Sequence, residues 1–525
     1  MNNKLKIAAA MLSATWLVAG CGSTPETSQG KETSDYPTNI ELRDGFDPDA
    51  TFTWATNNLS VHWDPTESLF GSDLNAYAPV YDKLLEEEED GSITPMLATE
   101  YKAADDGTSL TLKLREGLTF SDGTPFDADA VKFNLDRYRA QGSRIAGEVP
   151  MISSVDVVDG MTVRINVDGG LGALAVSLAN RAGVMVSPTA VQSGVIKNQP
   201  VGVGPYVMTA MSPGDSITFE RQDGYWDPDA QRVKTLKMVL IAEDQARYNA
   251  LTNGEVDGAV INPDQLDDVE KAGLQVTAKP SSSFLYFILN TAKGPFSDPE
   301  VRKALNMAID REGISQGLYE GHCTPQIQPF LEGTPGYSEK IGDGLDVFPY
   351  DPEAAKKIID EKGAAGAQAT MVLPAVTIYS KFAEVIQEQL ADVGITVTVQ
   401  PGPPGQDVEA FGLQKSAEML SSVYTGMNDP QALQGRYLAP KALFNPGGAS
   451  YSEMEAAAAE GADPVDPAER TPHYEDYMDA WVETPPHMVP VCMVHLSMGY
   501  SQDVSGVGQR QSVAPNLRGV AIDKQ

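Results

Sequence analysis

The sequence predicts a mixed α/β fold, because strand-like and helix-like hydrophobic patterns alternate along the chain. Residues 109–115 (SLTLKLR) alternate polar and apolar side chains, which is the period of a half-buried strand. Residues 299–311 place apolar side chains on one helical face, with Asp298 as the predicted N-cap. Residues 382–399 combine both patterns, since a helical face ends at Gly394 and alternating β-branched residues follow it.

The same two patterns recur elsewhere in the chain and support this fold class. Residues 51–55 (TFTWA) predict an early strand, and residues 76–86 predict a short helix or turn. Residues 246–261 predict a helix that ends at Gly254 and is followed by a strand. Residues 474–482 have the spacing of one more core-facing helix.

Length and charge restrict the possible functions. A chain of 525 residues is too long for one core and suggests about two to four domains. Its 38 basic and 73 acidic side chains give a net charge of −35. Such a surface repels phosphate backbones, so nucleic acid is not an expected partner. The acidic excess is typical of a well-solvated surface, and a saline habitat is the alternative explanation.

The N-terminus has the pattern of an export signal. Lys4 and Lys6 precede residues 7–20, an apolar run too short to span a bilayer as a stable helix. The run ends in LVAGC, which resembles the lipobox of bacterial lipoproteins and implies cleavage before Cys21 and a diacylglyceryl group on its sulfur. We therefore expect a signal peptide over residues 1–20, and an extracytoplasmic protein anchored by lipid to the outer face of the cell membrane, with the periplasm as the alternative location.

Residues 21–37 predict a flexible tether, because they are rich in Ser, Thr, Gly and Pro and poor in apolar side chains. The two remaining cysteines, Cys323 and Cys492, would be exposed to oxidising conditions outside the cytoplasm. Sequence alone leaves both a disulfide and two free thiols open.

Motifs of catalysis are missing from the sequence. None of the five histidines lies in an H-E-x-x-H pattern, and there is no G-x-S-x-G elbow, Walker loop or Rossmann fingerprint. We therefore expect no enzymatic activity, no cofactor and no metal. A triad assembled from distant residues is the alternative, which would make the protein a secreted lipoprotein hydrolase.

The order of several segments resembles the family 5 extracellular solute-binding proteins, the peptide- and nickel-binding components of ABC importers. Residues 93–135 (beginning ITPMLATEY and ending DADAVKFNL) resemble the signature region of that family. The similarity continues in the same order through residues 204–209 (GPYVMT), 225–228 (YWDP), 250–260 (ALTNGEVDGAV), 287–311 and 385–399.

The resemblance implies a two-lobed α/β fold of the periplasmic-binding-protein type, with a small additional domain and a hinge between the lobes. Lobe I would comprise residues 38–75, 200–295 and 496–525, the small domain residues 76–199, and lobe II residues 296–495. The implied function is capture of di- or oligopeptides in the interlobe cleft by a monomer that delivers them to a permease. Nickel-chelate, glycoside and opine-like ligands are alternatives within the same class.

The resemblance also implies ligand-binding residues. In peptide-binding relatives, a segment similar to residues 421–433 supplies an aspartate that pairs with the α-ammonium group of the ligand. By that match Asp429 is the ammonium partner and Tyr424 is an aromatic cleft residue, and a buried cation does need a partner charge. The alternative for Asp429 is a turn former before Pro430. No arginine occurs between residues 372 and 388, so recognition of a free C-terminus is not implied.

Two further loops are expected to line the cleft. Asn57, His62 and Trp63 follow the first strand, and Asn262 follows the strand that ends the 246–261 segment. Trp63 would either stack on a ligand or pack in the core. His62 as a ligand of a nickel chelate is a minor alternative, because no second metal ligand is indicated.

Overall fold

The computed structural model describes most of the chain after the predicted tether. The described residues are 36–59, 62–68, 73–88, 92–403, 405–424, 429–464, 466–509 and 515–524. Cys21, the predicted signal peptide and nearly all of the predicted tether therefore lie outside the described residues.

Strands and short bridges run through the whole described part of the chain. In chain order they are β1 Asn39–Ile40, β2 Thr51–Thr56, β3 Leu85–Glu87, β4 Ile93–Pro95, β5 Ala98–Ala103, β6 Ser109–Leu114, β7 Ile152–Asp159, β8 Thr162–Val167, β9 Tyr206–Ser212, β10 Ser216–Arg221, β11 Thr235–Leu240, β12 Gly258–Val260, β13 Gln275–Leu289, β14 Cys323–Pro325, β15 Gln368–Pro374, β16 Thr396–Gly402, β17 Met419–Tyr424, β18 Met488–Tyr500, β19 Val504–Ser505, β20 Val507–Gln509, β21 Pro515–Asn516 and β22 Ala521–Ile522.

Helices alternate with these strands, as the sequence predicts for a mixed α/β chain. In chain order they are α1 Asp73–Tyr77, α2 Ala128–Tyr138, α3 Leu171–Leu178, α4 Pro188–Ser193, α5 Asp244–Thr252, α6 Leu266–Lys271, α7 Pro299–Met307, α8 Arg311–Tyr319, α9 Pro352–Glu361, α10 Thr377–Asp392, α11 Gln406–Val408, α12 Pro430–Leu433, α13 Ser452–Ala462 and α14 Pro467–Glu483.

The main sheet has eleven strands and is built around two long ones. Its order is β16-β15-β17-β13-β18-β12-β2-β11-β10-β9, with β14 beside β18. The antiparallel pair β13 and β18 lies at the centre, and its register breaks between Pro280 and Phe284. A break in the ladder bends the strands and separates the sheet into two halves. The predicted boundary at 495/496 lies beside this break, whereas the predicted boundary at 295/296 lies further along the chain.

The two halves of the sheet have separate hydrophobic cores. On one side, clusters around Phe52 and Leu251 cover β2 and its neighbours. On the other side, clusters around Phe382 and Trp481 cover β15 to β17. Two cores joined by two continuous strands define a two-lobed molecule that can bend at the joint.

The small domain packs on lobe I and shares its core. A four-stranded sheet in the order β5-β6-β8-β7 carries α2 on one face. Leu110 of this sheet belongs to the same hydrophobic cluster as Phe52 of lobe I. Close approach of the two parts requires a glycine at Gly204, because a Cβ atom there would lie 2.4 Å from the carbonyl carbon of Val80.

Local signals in the sequence predicted most of these elements, with two differences. Residues 76–86, predicted as a short helix or turn, comprise the end of α1, a turn and the start of β3. Asp298 caps α7, its carboxylate accepting a hydrogen bond from the Glu300 N–H at 2.9 Å. The helix predicted over 299–311 nevertheless ends at Met307. Asp310 takes a non-helical backbone conformation and caps α8 by accepting from the Gly313 N–H, so one apolar stripe is divided between two helices.

Candidate functional site

The loop after β2 places its three predicted site residues in different environments. The Asn57 and His62 side chains are exposed, and the His62 carbonyl oxygen accepts a hydrogen bond from the Tyr77 hydroxyl. Trp63 is only 2% exposed, and its ring packs 6.3 Å from that of Tyr77 within the core shared by lobe I and the small domain. Trp63 therefore packs in the hydrophobic core and presents no open ring face on which a ligand could stack.

Asn262 lies two residues after the end of β12, next to the Asp244–Arg247 ion pair of lobe I. Its amide donates a hydrogen bond to Oδ2 of Asp244 at 2.7 Å. Asp244 also forms an ion pair with the buried Arg247, whose guanidinium donates to the carbonyl oxygens of Val260 and Ile241. Asn262 thus holds the start of α5 in place.

Asp429 lies in a network that the sequence did not reveal. It is 2% exposed and forms an ion pair with Arg470 of α14. The Tyr474 hydroxyl lies 3.4 Å from both carboxylate oxygens, and Oδ1 accepts from the Gln431 N–H at 2.9 Å. Asp429 is therefore both the N-cap of α12 and half of a buried ion pair. The ammonium-binding role expected for Asp429 stays a prediction, and any ligand would meet it together with Arg470.

The remaining predicted residues are partly outside the described residues. Tyr424 is the last residue of β17, and its side chain and residues 425–428 are not described. Cys323 and Cys492 are joined by a disulfide, with 5.5 Å between their Cα atoms. The bond connects β14 to β18 on the lobe II side of the register break.

A carboxylate that sequence reasoning missed lies in lobe II. Asp407 of α11 is 4% exposed, and its Oδ1 has no hydrogen-bond partner among the described residues. Burial raises the pKa of Asp407 above its ordinary value. The hydroxyls of Tyr286 and Tyr379 lie within electrostatic range of this carboxylate, and burial raises the pKa of Tyr379 to about 12. In the sequence, GPPGQDV shows only a turn followed by an acidic residue.

Lobe II and the small domain are in contact. Asp463, just after α13, accepts a hydrogen bond from the Gly170 N–H at the start of α3. Arg436 lies 3.5 Å from Glu148 of the small domain, and Glu148 also forms a buried ion pair with Arg181. These contacts join parts of the chain that lie on opposite sides of the register break, as expected for lobes that meet when the cleft closes.

Metal-binding clusters and membrane-spanning helices are both absent from the described part of the chain. No cluster of three or more metal-binding side chains occurs among the residues that the structure covers. Nor does any described helix combine the length and apolar character needed to cross a bilayer.

The fold and these contacts define a two-lobed binding protein with a hinge. Consistent with that class, a model of the bacterial extracellular solute-binding proteins, family 5 Middle, matches residues 92–442, more than half of the chain. The chain belongs to this family. It is the solute-binding component of an ABC importer and not an enzyme, which removes the hydrolase alternative.

Individual relatives show the same class with different ligands. The chain is 30% identical over 446 residues to the glutathione-binding protein GsiB of Shigella flexneri, covering 81% of this chain and 85% of that protein. Its fold is similar to the DppA periplasmic binding protein of Helicobacter pylori in complex with the peptide STSA, with a TM-score of 0.81, 22% identity, and coverage of 91% and 99%.

A third similar structure is the periplasmic binding protein AgaA from A. tumefaciens R10 in complex with agropinic acid. It also has a TM-score of 0.81 and 22% identity, over 91% of this chain and 99% of that protein. The expected two-lobed fold with mixed α/β sheets is thereby confirmed, whereas the ligands differ among proteins of similar fold.

Proposed function

We propose that this protein captures short peptides in the cleft between its lobes and releases them to an ABC permease. The main support for peptides as the ligand class is the 30% identity, over 81% of the chain, to a glutathione-binding protein, because glutathione is a tripeptide. The DppA structure with bound STSA has the same fold. The hinge at the β13–β18 register break supplies the motion that would enclose a ligand between both lobes.

We also propose that the mature protein is a monomer held at the membrane by acyl chains on Cys21. A leader with two lysines, an apolar run and LVAGC supports the anchor. A tether would keep the binding protein close to its permease and raise its effective concentration there. Labelling with a palmitate analogue tests this proposal: the wild type should incorporate label, the Cys21→Ala variant should not, and equal labelling would contradict it.

Within the proposed cleft, Asn57, His62, Asn262 and Tyr424 remain candidate contacts, and Asp429 is a candidate together with Arg470. Calorimetry of the purified soluble body with glutathione and unrelated peptides of two to eight residues tests the function. We expect micromolar or tighter binding of at least one peptide, a raised Tm and recovery of the peptide intact. Absence of binding by the whole set would contradict the peptide proposal.

An opine-like ligand is the second candidate, because the agropinic acid complex is as similar in fold as the peptide complex. The same calorimetry with agropinic acid distinguishes the two. Preference for agropinic acid over every peptide would favour this candidate.

A further inference from the structure

One buried carboxylate differs from all the others in the described residues. The buried carboxylates are Asp64, Asp73, Asp82, Glu86, Glu148, Asp407 and Asp429. Six of them accept hydrogen bonds from side chains, five from a cation and Asp73 from the Ser68 hydroxyl. Asp407 alone has no side-chain partner among the described residues, and its Oδ1 is unsatisfied. Backbone N–H groups of α11 are the described hydrogen-bonding groups near this carboxylate, and a buried charge without a counter-charge destabilises the protein unless something else neutralises it.

The position of Asp407 places this charge where the two lobes face each other. Asp407 belongs to α11, which packs on β15 and β16 of lobe II. In the sheet, β17 runs from Met419 to Tyr424, and Tyr424 pairs with Phe284 beside the register break. β15 runs parallel to β17, and β16 runs parallel to β15, so α11, which follows β16, lies at the edge of lobe II nearer the break and lobe I. A solute enclosed by the lobes would therefore be within reach of Asp407.

Among the described residues, no cation is available to balance the charge of Asp407. Arg436 is already engaged, because its guanidinium lies 5.8 Å from the ring centroids of Tyr437 and of Phe444 and 3.5 Å from Glu148 of the small domain. No cation contributes to the raised pKa of Asp407, which burial causes.

We propose that Asp407 is the charge partner of the solute, and that the solute carries an ammonium or guanidinium group. This proposal rests on the proposed capture of a solute between the lobes. It differs from the ammonium-binding role that the family resemblance implies for Asp429, because the Asp429 charge is already balanced by Arg470.

The test uses Asp407→Asn, which keeps the shape and removes the charge. Binding of trialanine and of N-acetyltrialanine is measured by calorimetry, with Tm recorded for every variant. Asp257→Asn is the matched control. Asp257 is a partly buried carboxylate whose pKa is also raised by burial, but it accepts a hydrogen bond from the Thr53 N–H in lobe I. We expect Asp407→Asn to bind trialanine at least about tenfold more weakly, without a fall in Tm, while Asp257→Asn binds normally.

Other results overturn the proposal or separate it from the peptide function. If the wild type prefers the free amine and Asp407→Asn binds it equally well, the proposal is wrong and peptide capture stands. If Asp407→Asn melts below the wild type, Asp407 has a structural role and the proposal is wrong. If neither peptide binds, the solute that co-purifies with the wild type is identified by mass spectrometry. If that solute is a positively charged non-peptide and Asp407→Asn fails to retain it, the proposed role of Asp407 is supported and the peptide function is contradicted. Any other identity or behaviour of the solute overturns the proposed role of Asp407.

Discussion

Asp429 and Asp407 are both buried carboxylates of lobe II, and they differ in what neutralises them. Asp429 has Arg470 and Tyr474 as partners, together with a backbone N–H of α12. Asp407 has no side-chain partner among the described residues. Substitutions at the two positions should therefore have opposite effects on the folded protein.

We predict that Asp429→Ala lowers the free energy of unfolding by about 3–5 kcal/mol, because it leaves the buried Arg470 without a counter-charge. Urea denaturation measures the change. The double variant Asp429→Ala/Arg470→Met is the control and should recover much of the loss, since both charges are then gone. A loss below about 1 kcal/mol in the single variant would contradict the importance of this ion pair.

We predict that Asp407→Asn is more stable than the wild type at pH 7 and equally stable in acid. The folded-state pKa of Asp407 is raised above the ordinary 3.8, so folding favours its protonated form. Stability from this group is therefore present below about pH 3.8 and is lost as the pH rises through the folded-state pKa. The titratable groups within electrostatic range of Asp407 are Tyr286 and Tyr379, and burial raises the pKa of both phenols, so neither titrates between pH 4 and 7.

The difference in unfolding free energy at pH 7, measured in urea, should be about 1–3 kcal/mol in favour of the Asn variant. The difference should disappear toward acid pH, because a protonated Asp407 needs no counter-charge. A wild type that is the more stable of the two at pH 7 would mean that the charge of Asp407 stabilises the fold.

The division between α7 and α8 shows what sequence patterns predict about elements and what they miss. Apolar spacing predicted the helix, and Asp298 was correctly predicted as its N-cap. The interruption depends on Asp310, whose carboxylate binds the Gly313 N–H, and an aspartate within a helical stripe does not indicate by itself that it will cap a second helix. Strands at 51–55 and 109–115 were predicted correctly because their period of two is unambiguous.

The disulfide joins β14 to β18, two elements separated by 169 residues in sequence. We predict that Cys323→Ala/Cys492→Ala lowers the free energy of unfolding by about 2–4 kcal/mol, because the unfolded chain loses a long-range constraint. Denaturation with and without dithiothreitol checks this. Reductant should lower the stability of the wild type and leave that of the variant unchanged, and equal responses would contradict the bond.

Contact between α3 and the end of α13 provides a test of closure. A Cβ atom on Gly172 would lie 1.9 Å from the carbonyl oxygen of Pro464, so Gly172→Ala should push lobe II away from the small domain. Gly317→Ala in α8 is the matched control, since nothing lies within 4 Å of its Cβ position. In the presence of a bound peptide, we expect a larger radius of gyration for Gly172→Ala only. Identical scattering from both variants would contradict the role of this contact.

For the whole molecule, the order of family-like segments predicted the two lobes and the small domain, but not how they meet. The pairing of Asp429 with Arg470, 41 residues apart, and the approach of Asp463 to Gly170, 293 residues apart, depend on tertiary packing. No local pattern encodes such distances. Likewise, the lack of a side-chain partner for Asp407 among the residues that the structure covers is visible only once its neighbours are known.

We infer that the two lobes joined by β13 and β18 close on a solute without altering it. Small-angle X-ray scattering measures this closure on protein lacking residues 1–37. The protein is stripped of co-purified solute by unfolding and refolding, and is then loaded with a peptide that calorimetry shows to bind. We expect a smaller radius of gyration on loading, with the peptide recovered unchanged. An identical scattering profile with and without bound peptide, or conversion of the peptide to a product, would contradict it.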